Sequence, residues 1–379
     1  MTKLMMVIHS LRGGGSEKVL LNLLKGLDRN EFFITLILYE RVFDFPLPEN
    51  VEVKILDIYT SRNILKLTKS FILKIVNLSR LIRQNKPDIV FSLLSSTNVA
   101  AIVAKLFSWT KCKVIVSDHT HPSTNLKNEI YGGITKIFIK YLYPKANKII
   151  AVSEGIKQDL IKNFNIPEDK VVVIYNPVDI KEIETLSKEK ADHPWFYEEV
   201  PIIVSVGRIT KQKGYPYLIK AFSLVKRSLT CRLLIIGEGE DKMELIEMTK
   251  ELDLKGDIEF LGFQKNPFKY MARSSVFILS SLYEGFGNVI VEAMALGLPV
   301  ISTDCPSGPS EIIDDRKNGL LVPIKDERAL AKAMIDALTD SRLKDDLCRE
   351  AKLKAQSYDL NKIIERYRSI FYENSSSSL

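Results

Sequence analysis

Short apolar runs alternate with longer amphipathic stretches along almost the whole chain, and the alternation runs through twice. In the first half the apolar runs are Leu4–His9, Ile34–Tyr39, Val51–Ile55, Asp88–Leu93, Val114–Ser117, Lys148–Val152 and Val171–Tyr175. In the second they are Ile202–Val206, Arg232–Ile236, Ile258–Leu261, Val276–Leu279, Pro299–Ser302 and Gly319–Val322. A strand that is apolar on both faces is buried on both, which is the condition of a parallel sheet. Parallel strands need crossovers. Ser16–Leu27, Asn63–Gln84, Ile156–Phe164 and helices starting near Tyr215, Lys242, Asn288 and Glu327 supply them. The expected fold is α/β, with two doubly wound Rossmann-like domains facing across a cleft.

A chain of 379 residues exceeds one ordinary core. The pattern divides it into 1–178 and 179–358, with a closing segment 359–379. In that last segment the helical stretch Leu360–Phe371 is expected to pack back on the first domain, ahead of a frayed Ser375–Leu379 tail. The stretch from about Pro177 to Pro201, with its Glu/Lys clusters, reads as the hinge.

Apolar residues make up 46% and charged residues 27%, a globular mixture that excludes disorder. Cys112, Cys231, Cys305 and Cys348 are scattered without a C-x-x-C pair, which argues against a disulfide framework or a zinc site and for a reducing compartment. Leu4–Ile8 is too short for a signal-peptide core, and the uncharged stretch Ile89–Ala104 falls short of the roughly 20 apolar residues of a bilayer span. A cytoplasmic protein with no spanning segment is expected. The charge is uneven: residues 51–150 hold 16 Lys/Arg against 5 Asp/Glu, whereas 181–379 hold 29 against 31. Such asymmetry predicts different partners for the two domains.

Four motifs fall where strands end, the place where doubly wound sheets bind ligands. Leu11-Arg12-Gly13-Gly14-Gly15-Ser16-Glu17 follows the first strand. Its glycines allow positive φ and close approach of a ligand, and Ser16 is placed to cap a helix whose N-terminus favours an anion. It matches neither G-x-G-x-x-G nor G-x-x-x-x-G-K-[ST]. Gly207–Gly214 carries Arg208 and Lys213 around a loop that opens a helix, a bidentate clamp and a point charge for one phosphate site. Glu284 and Glu292 stand eight residues apart across Gly285-Phe286-Gly287-Asn288. The first is expected in a loop and the second inside a helix whose open first amides suit a phosphate. Ser117-Asp118-His119-Thr120-His121 ends another strand; His119 is the stronger candidate and His121 the weaker. No D-x-D pair exists to anchor a divalent ion on a nucleotide diphosphate.

With Ala151-Val152-Ser153-Glu154, Ile174–Asp179 and Gly237-Glu238-Gly239, these motifs in this order resemble glycosyltransferase family 4 over essentially the whole chain. The resemblance implies the GT-B fold and a retaining, metal-independent transfer of a sugar from a nucleotide diphosphate. Residues 1–178 would then be the acceptor side and 179–358 the nucleotide-sugar side. It further implies that Glu292 binds the ribose and Glu284 the donor sugar. Arg208, Lys213 and the amides of Gly287 and Asn288, beside Phe286, neutralise the diphosphate. Gly14 and Gly15 close over the phosphates, His119 lies by sugar and acceptor, and the strand end Leu261-Gly262-Phe263 meets the base. Ser16 stands where the family often has alanine. Likeness to bacterial surface-glycan enzymes favours a UDP-linked hexose or N-acetylhexosamine as donor. A nucleotide-sugar 2-epimerase or hydrolase, and a non-catalytic nucleotide-sugar-binding protein, are the alternatives on the same fold.

The cationic first half interleaves Arg62, Lys66, Lys69, Lys74, Arg80, Arg83 and Lys86 with apolar residues from Ile64 to Ile82. It then interleaves Lys127, Lys136, Lys140, Lys145 and Lys148 with residues from Ile130 to Tyr143. A basic amphipathic surface of this kind suits anionic lipid. The expected acceptor is a glycan on a polyprenyl diphosphate, met at the inner face of the cytoplasmic membrane. No nucleic-acid motif accompanies the basic residues.

Overall fold

In a computed structural model, residues 1–46, 51–59, 64–127 and 132–375 are described, though not the side chains of 64–66. Arg62, Ile64, Leu65, Lys66, Ile130 and Tyr131 of the basic patches, and the tail beyond Ser375, lie outside the described residues or side chains. The chain divides into two compact units, Met1–Pro177 with Leu360–Leu379, and Val178–Asp359.

Unit 1 is a seven-stranded parallel sheet of β1 (Thr2–Ile8), β2 (Phe32–Leu38), β3 (Glu52–Ile55), β4 (Ile89–Leu93), β5 (Lys113–Asp118), β6 (Lys148–Ala151) and β7 (Val171–Val173). Their spatial order is β3-β2-β1-β4-β5-β6-β7. Its helices are α1 (Gly15–Gly26), α2 (Ile64–Asn85), α3 (Ser95–Ser108), α4 (Pro122–Lys127), α5 (Gly132–Leu142) and α6 (Glu154–Phe164). The order reverses between β1 and β4, so the loops after those strands form the switch point.

Unit 2 has α7 (Ile180–Ser187), β8 (Ile202–Val206), α8 (Tyr215–Val225), β9 (Arg232–Ile236), α9 (Lys242–Glu251), β10 (Ile258–Gly262), α10 (Phe268–Met271), β11 (Val276–Leu279), α11 (Asn288–Ala295), β12 (Val300–Thr303), α12 (Pro309–Ile312), β13 (Leu320–Val322), α13 (Glu327–Thr339) and α14 (Ser341–Ala355). The sheet order β10-β9-β8-β11-β12-β13 reverses between β8 and β11, placing their carboxyl ends at its switch point.

The last helix, α15 (Leu360–Glu373), belongs to unit 1. Ile363, Ile364, Tyr367, Ile370 and Phe371 enter the core cluster that holds Leu4, Val19, Leu23, Phe32 and Phe91. Phe371 meets Phe91 edge-on at 5.3 Å, Arg366 donates to the Val173 carbonyl at 2.8 Å, and Arg368 pairs with Glu31.

Two expectations change here. Much of the stretch read as a hinge, Pro177–Pro201, is built into unit 2. Ile183 and Trp195 are buried, and Asp192 binds Lys269 and the Tyr270 hydroxyl at 2.8 Å each. Charged clusters read as solvent-facing because their partners lie some 77 residues away. Lys74 likewise does not face outward. It is buried, 3.5 Å from His9 Nδ1 and over the Tyr39 ring, while His9 Nε2 meets Glu40 at 3.1 Å.

Candidate functional site

At the carboxyl edge of the unit 2 sheet, three loops lock together: 207–214 after β8, 280–287 after β11 and 304–308 after β12. Gly214 sits at φ +61, where a Cβ would fall 2.2 Å from the Ser280 carbonyl, so only glycine lets the first two loops touch. Ser280 Oγ then donates to the Lys213 carbonyl at 2.8 Å, and Gln212 Nε2 to the Tyr283 carbonyl at 2.9 Å. Gly308 at φ +90 has the Phe286 carbonyl 2.2 Å from any Cβ, and Ser307 Oγ donates to the Glu284 carbonyl at 2.6 Å. Gly237 and Gly239 press the loop after β9 against 207–209 in the same way.

These locks bring Lys213 Nζ to 2.5 Å from Glu284 Oε1, with both side chains largely buried. Ser281, fully buried, donates its hydroxyl to the same oxygen at 2.6 Å. Its own carbonyl accepts from Thr303 Oγ1 at 2.5 Å. Both bonds to the carboxylate fall on Oε1, which leaves Oε2 without a partner among the described residues. The buried Cys305 thiol is pushed up mainly by burial and further by Glu284, so it stays protonated.

Four residues on, α11 begins. Its N-cap is Gly287 at φ +93, which has no side chain to occupy the first amides, so the positive end of the helix stays available to an anion. Glu292 is buried in its second turn. Arg208 is exposed, with no ion pair among the described residues. Phe263, just past β10, is 46% exposed. The Phe286 side chain is withdrawn from any ligand: it is core, edge-on to Tyr358 at 5.3 Å, so only its main chain lines the turn.

In unit 1 the loop after β1 differs from expectation. Gly13, Gly14 and Gly15 do not take positive φ; Gly14 is extended and is the N-cap of α1. Ser16 lies inside the helix and bonds Glu17 instead of capping it. A Cβ at 14 would fall 2.3 Å from the Glu17 carboxylate, the far end of a flexible side chain that can swing aside, so neither backbone handedness nor space demands glycine there.

His119 follows β5. Its Nε2 is 3.0 Å from Ser117 Oγ, and its Nδ1 is shielded from solvent with no partner among the described residues. Burial holds the imidazole down to about 3, so it is neutral at pH 7. Asp118 lies beneath, bonded through Oδ1 to Ser95 and Tyr143, and burial pushes it up to about 6. His121 Nδ1 lies 3.1 Å from Thr124 Oγ1 and 3.5 Å from the Asp159 carboxylate of α6.

The structure thus joins Lys213, Glu284, Gly287, Asn288 and Glu292 along one edge of unit 2, and sets Gly14, Gly15 and His119 at the carboxyl edge of unit 1. Ser281, Thr303 and Ser307 escaped the reading of the sequence. Hydroxyls next to the Glu284 motif and in a Ser-Gly-Pro turn were the available signal.

Comparison with known proteins identifies the family. The profile "Glycosyltransferase Family 4" matches residues 13–182, and "Glycosyl transferases group 1" matches 187–354. The chain is 34% identical over 366 residues to the N-acetylgalactosamine-N,N'-diacetylbacillosaminyl-diphospho-undecaprenol 4-alpha-N-acetylgalactosaminyltransferase of Campylobacter jejuni, covering 96% of this chain and 97% of that one. A second Campylobacter jejuni alpha-1,4-N-acetyl-D-galactosaminyltransferase is 25% identical, covering 98% and 99%. Among solved structures, Anabaena HepE in complex with UDP and glucose superposes with a TM-score of 0.80 at 19% identity, covering 100% of each chain. The chain belongs to glycosyltransferase family 4 and has the GT-B fold.

Proposed function

We propose that this enzyme transfers an N-acetylhexosamine from a uridine diphosphate donor to a glycan carried on a polyprenyl diphosphate, with retention at the anomeric carbon, in bacterial surface-glycan assembly. The observation that carries the reading is the Lys213–Glu284 pair set beside the open N-terminus of α11. Support for the sugar and carrier comes from the two Campylobacter relatives, whose names specify N-acetylgalactosaminyl transfer and an undecaprenol-linked acceptor. Support for uridine comes from the UDP held by HepE.

In this reading the diphosphate draws Lys213 away from Glu284, and Arg208 with the Gly287 and Asn288 amides completes its neutralisation. Phe286 contributes main chain to that turn. Glu284 turns Oε2 to the sugar hydroxyls, Glu292 takes the ribose, and the main chain at Phe263 takes the base. On unit 1, Gly14 and Gly15 are assigned to the phosphates and His119 to the sugar and acceptor. As the C1–O bond breaks, positive charge grows on the sugar and negative charge on the departing diphosphate. Fixed cations and amide dipoles favour that state over the ground state. The acceptor oxygen bonds C1 on the face that the leaving group vacates, and its proton passes to a phosphate oxygen.

These cations do the work that a divalent metal does elsewhere, so chelation with EDTA should leave the rate unchanged. The test is a screen of UDP-sugars scored by released UDP, with and without a polyprenyl-diphosphate glycan. Acceptor-dependent release is expected. Acceptor-independent release would favour a hydrolase, and conversion of the donor sugar without UDP release an epimerase.

A further inference from the structure

We infer that the outer face of the α3 and α5 helices in unit 1 is a surface that docks onto an anionic lipid bilayer, with Trp109 and Phe107 as its inserting residues. The inference deepens the reading of a membrane-borne acceptor, but it rests on different atoms from the transfer site.

Three observations meet on this face. The first is apolar exposure. Trp109 is 88% exposed and Phe107 61%, with Leu106 beside them at the end of α3. On α5, Ile134, Ile137, Phe138 and Tyr141 are all exposed, at helical spacing i, i+3, i+4, i+7. A soluble helix keeps that stripe inward. Here one turn of the helix buries Ile139 while the opposite stripe has nothing over it among the described residues.

The second is conformation. Trp109 takes the left-handed region at φ +58 as the C-cap of α3, which tips a bulky ring into solvent at a position where Gly or Asn is usual. Arg83 donates to the Phe107 and Ser108 carbonyls and holds this end in place.

The third is charge. Lys111, Lys113, Lys136, Lys140 and Lys145 are exposed around the apolar residues. Between 95 and 148 the described residues contain one acidic side chain, Asp118, and it is buried. Apolar rings and aliphatic residues ringed by lysine match the apolar–anionic boundary of a bilayer and do not suit water. Tryptophan is the side chain that such boundaries favour.

The chain has two tryptophans, Trp109 and the buried Trp195. Trp195→Phe therefore makes fluorescence report Trp109 alone. On adding vesicles of phosphatidylglycerol and phosphatidylcholine, the emission should shift to shorter wavelength and become shielded from acrylamide; pure phosphatidylcholine should do much less. In vesicle flotation, Phe107→Ser with Trp109→Ser, and separately Lys136→Glu with Lys140→Glu, should each weaken partitioning at least about tenfold while the circular-dichroism melt is unchanged.

Unshifted Trp109 emission, or variants that float like the parent, would overturn the inference. So would self-association that the same substitutions abolish in a protein that ignores vesicles, since the face would then cover a second copy. If Trp109 enters vesicles and no UDP-sugar is consumed, the transferase reading falls and docking stands. If sugar reaches a lipid-linked acceptor without Trp109 insertion, docking falls alone.

Discussion

Lys213 Nζ and Glu284 Oε1 lie 2.5 Å apart although 71 residues separate them in the chain, and Ser281 Oγ reaches the same oxygen from the other side. The carboxylate therefore keeps a hydrogen-bond donor even when the lysine is drawn elsewhere. A buried pair of this kind is held by geometry as much as by charge, because removing one partner strands the other.

Separating the two members should separate two functions. Lys213→Ala should weaken UDP binding about 10- to 100-fold, the loss of one charge-assisted bond. Glu284→Gln should leave UDP affinity within about threefold and lower turnover of the UDP-sugar about 100-fold. Calorimetric titration of UDP, set beside UDP release at saturating donor, reads both.

Ser281 should act through Glu284. Ser281→Ala is expected to lower kcat about tenfold with UDP affinity unchanged, and Ser281→Thr, which keeps the hydroxyl, to recover most of it. Equal losses in UDP affinity and kcat for both variants would mean that the serine serves only packing.

The glycine locks predict a contrast in stability. Gly308→Ala meets the Phe286 carbonyl at 2.2 Å on a positive-φ backbone and should cost about 2 kcal/mol or more, together with activity. Gly256 has a similar φ of +91 but no atom within 4 Å of a Cβ, so Gly256→Ala should cost about 1 kcal/mol and spare activity. Urea melts of the two variants make the comparison.

His119 gives a pH dependence with a definite sign. Its folded value, about 3, lies below the ordinary 6.5, so the unfolded chain binds the proton more readily. Its contribution to stability is present above about 6.5 and is lost as pH falls toward 3. Asp118 opposes it: raised from 3.8 to about 6, it contributes stability below 3.8 that is lost as pH rises through about 6. Asp118→Asn should therefore steepen the acid-side loss of stability, and His119→Asn should flatten it, in denaturation midpoints taken between pH 4 and pH 7.

Strand positions were legible because both-face burial writes itself as unbroken apolar runs; β8, β9 and β11 begin and end where the pattern does. Helix starts at Tyr215, Lys242, Asn288 and Glu327 were legible for a related reason, each following a Gly or Asp at a strand end. Lys74 was not. Every fourth residue from Ser70 through Lys74 to Leu78 turns inward, and whether a lysine there is buried depends on His9 and Glu40, far away in sequence. Ser281 and Ser307 were opaque for the same reason: a hydroxyl's partner is set by tertiary contact. Gly14 misled, since the backbone there is extended and not at positive φ.

The closing helix should be indispensable. Truncation before Leu360 strips Ile363, Ile364, Tyr367, Ile370 and Phe371 from the unit 1 core, at about 2 kcal/mol for each buried side chain. That sum rivals the whole stability of an ordinary domain, so the truncated chain should be recovered only as aggregate.

The 207–214 and 284–288 loops of unit 2 are expected to hold a nucleotide diphosphate through Lys213, Arg208 and the start of α11. Titrating UDP into the wild-type protein and into Lys213→Ala, Arg208→Ala and the double variant tests it most directly. Micromolar-range binding by the wild type without added metal is expected, with a loss on each single change and near abolition in the double variant. Equal UDP affinity across all four proteins would contradict it.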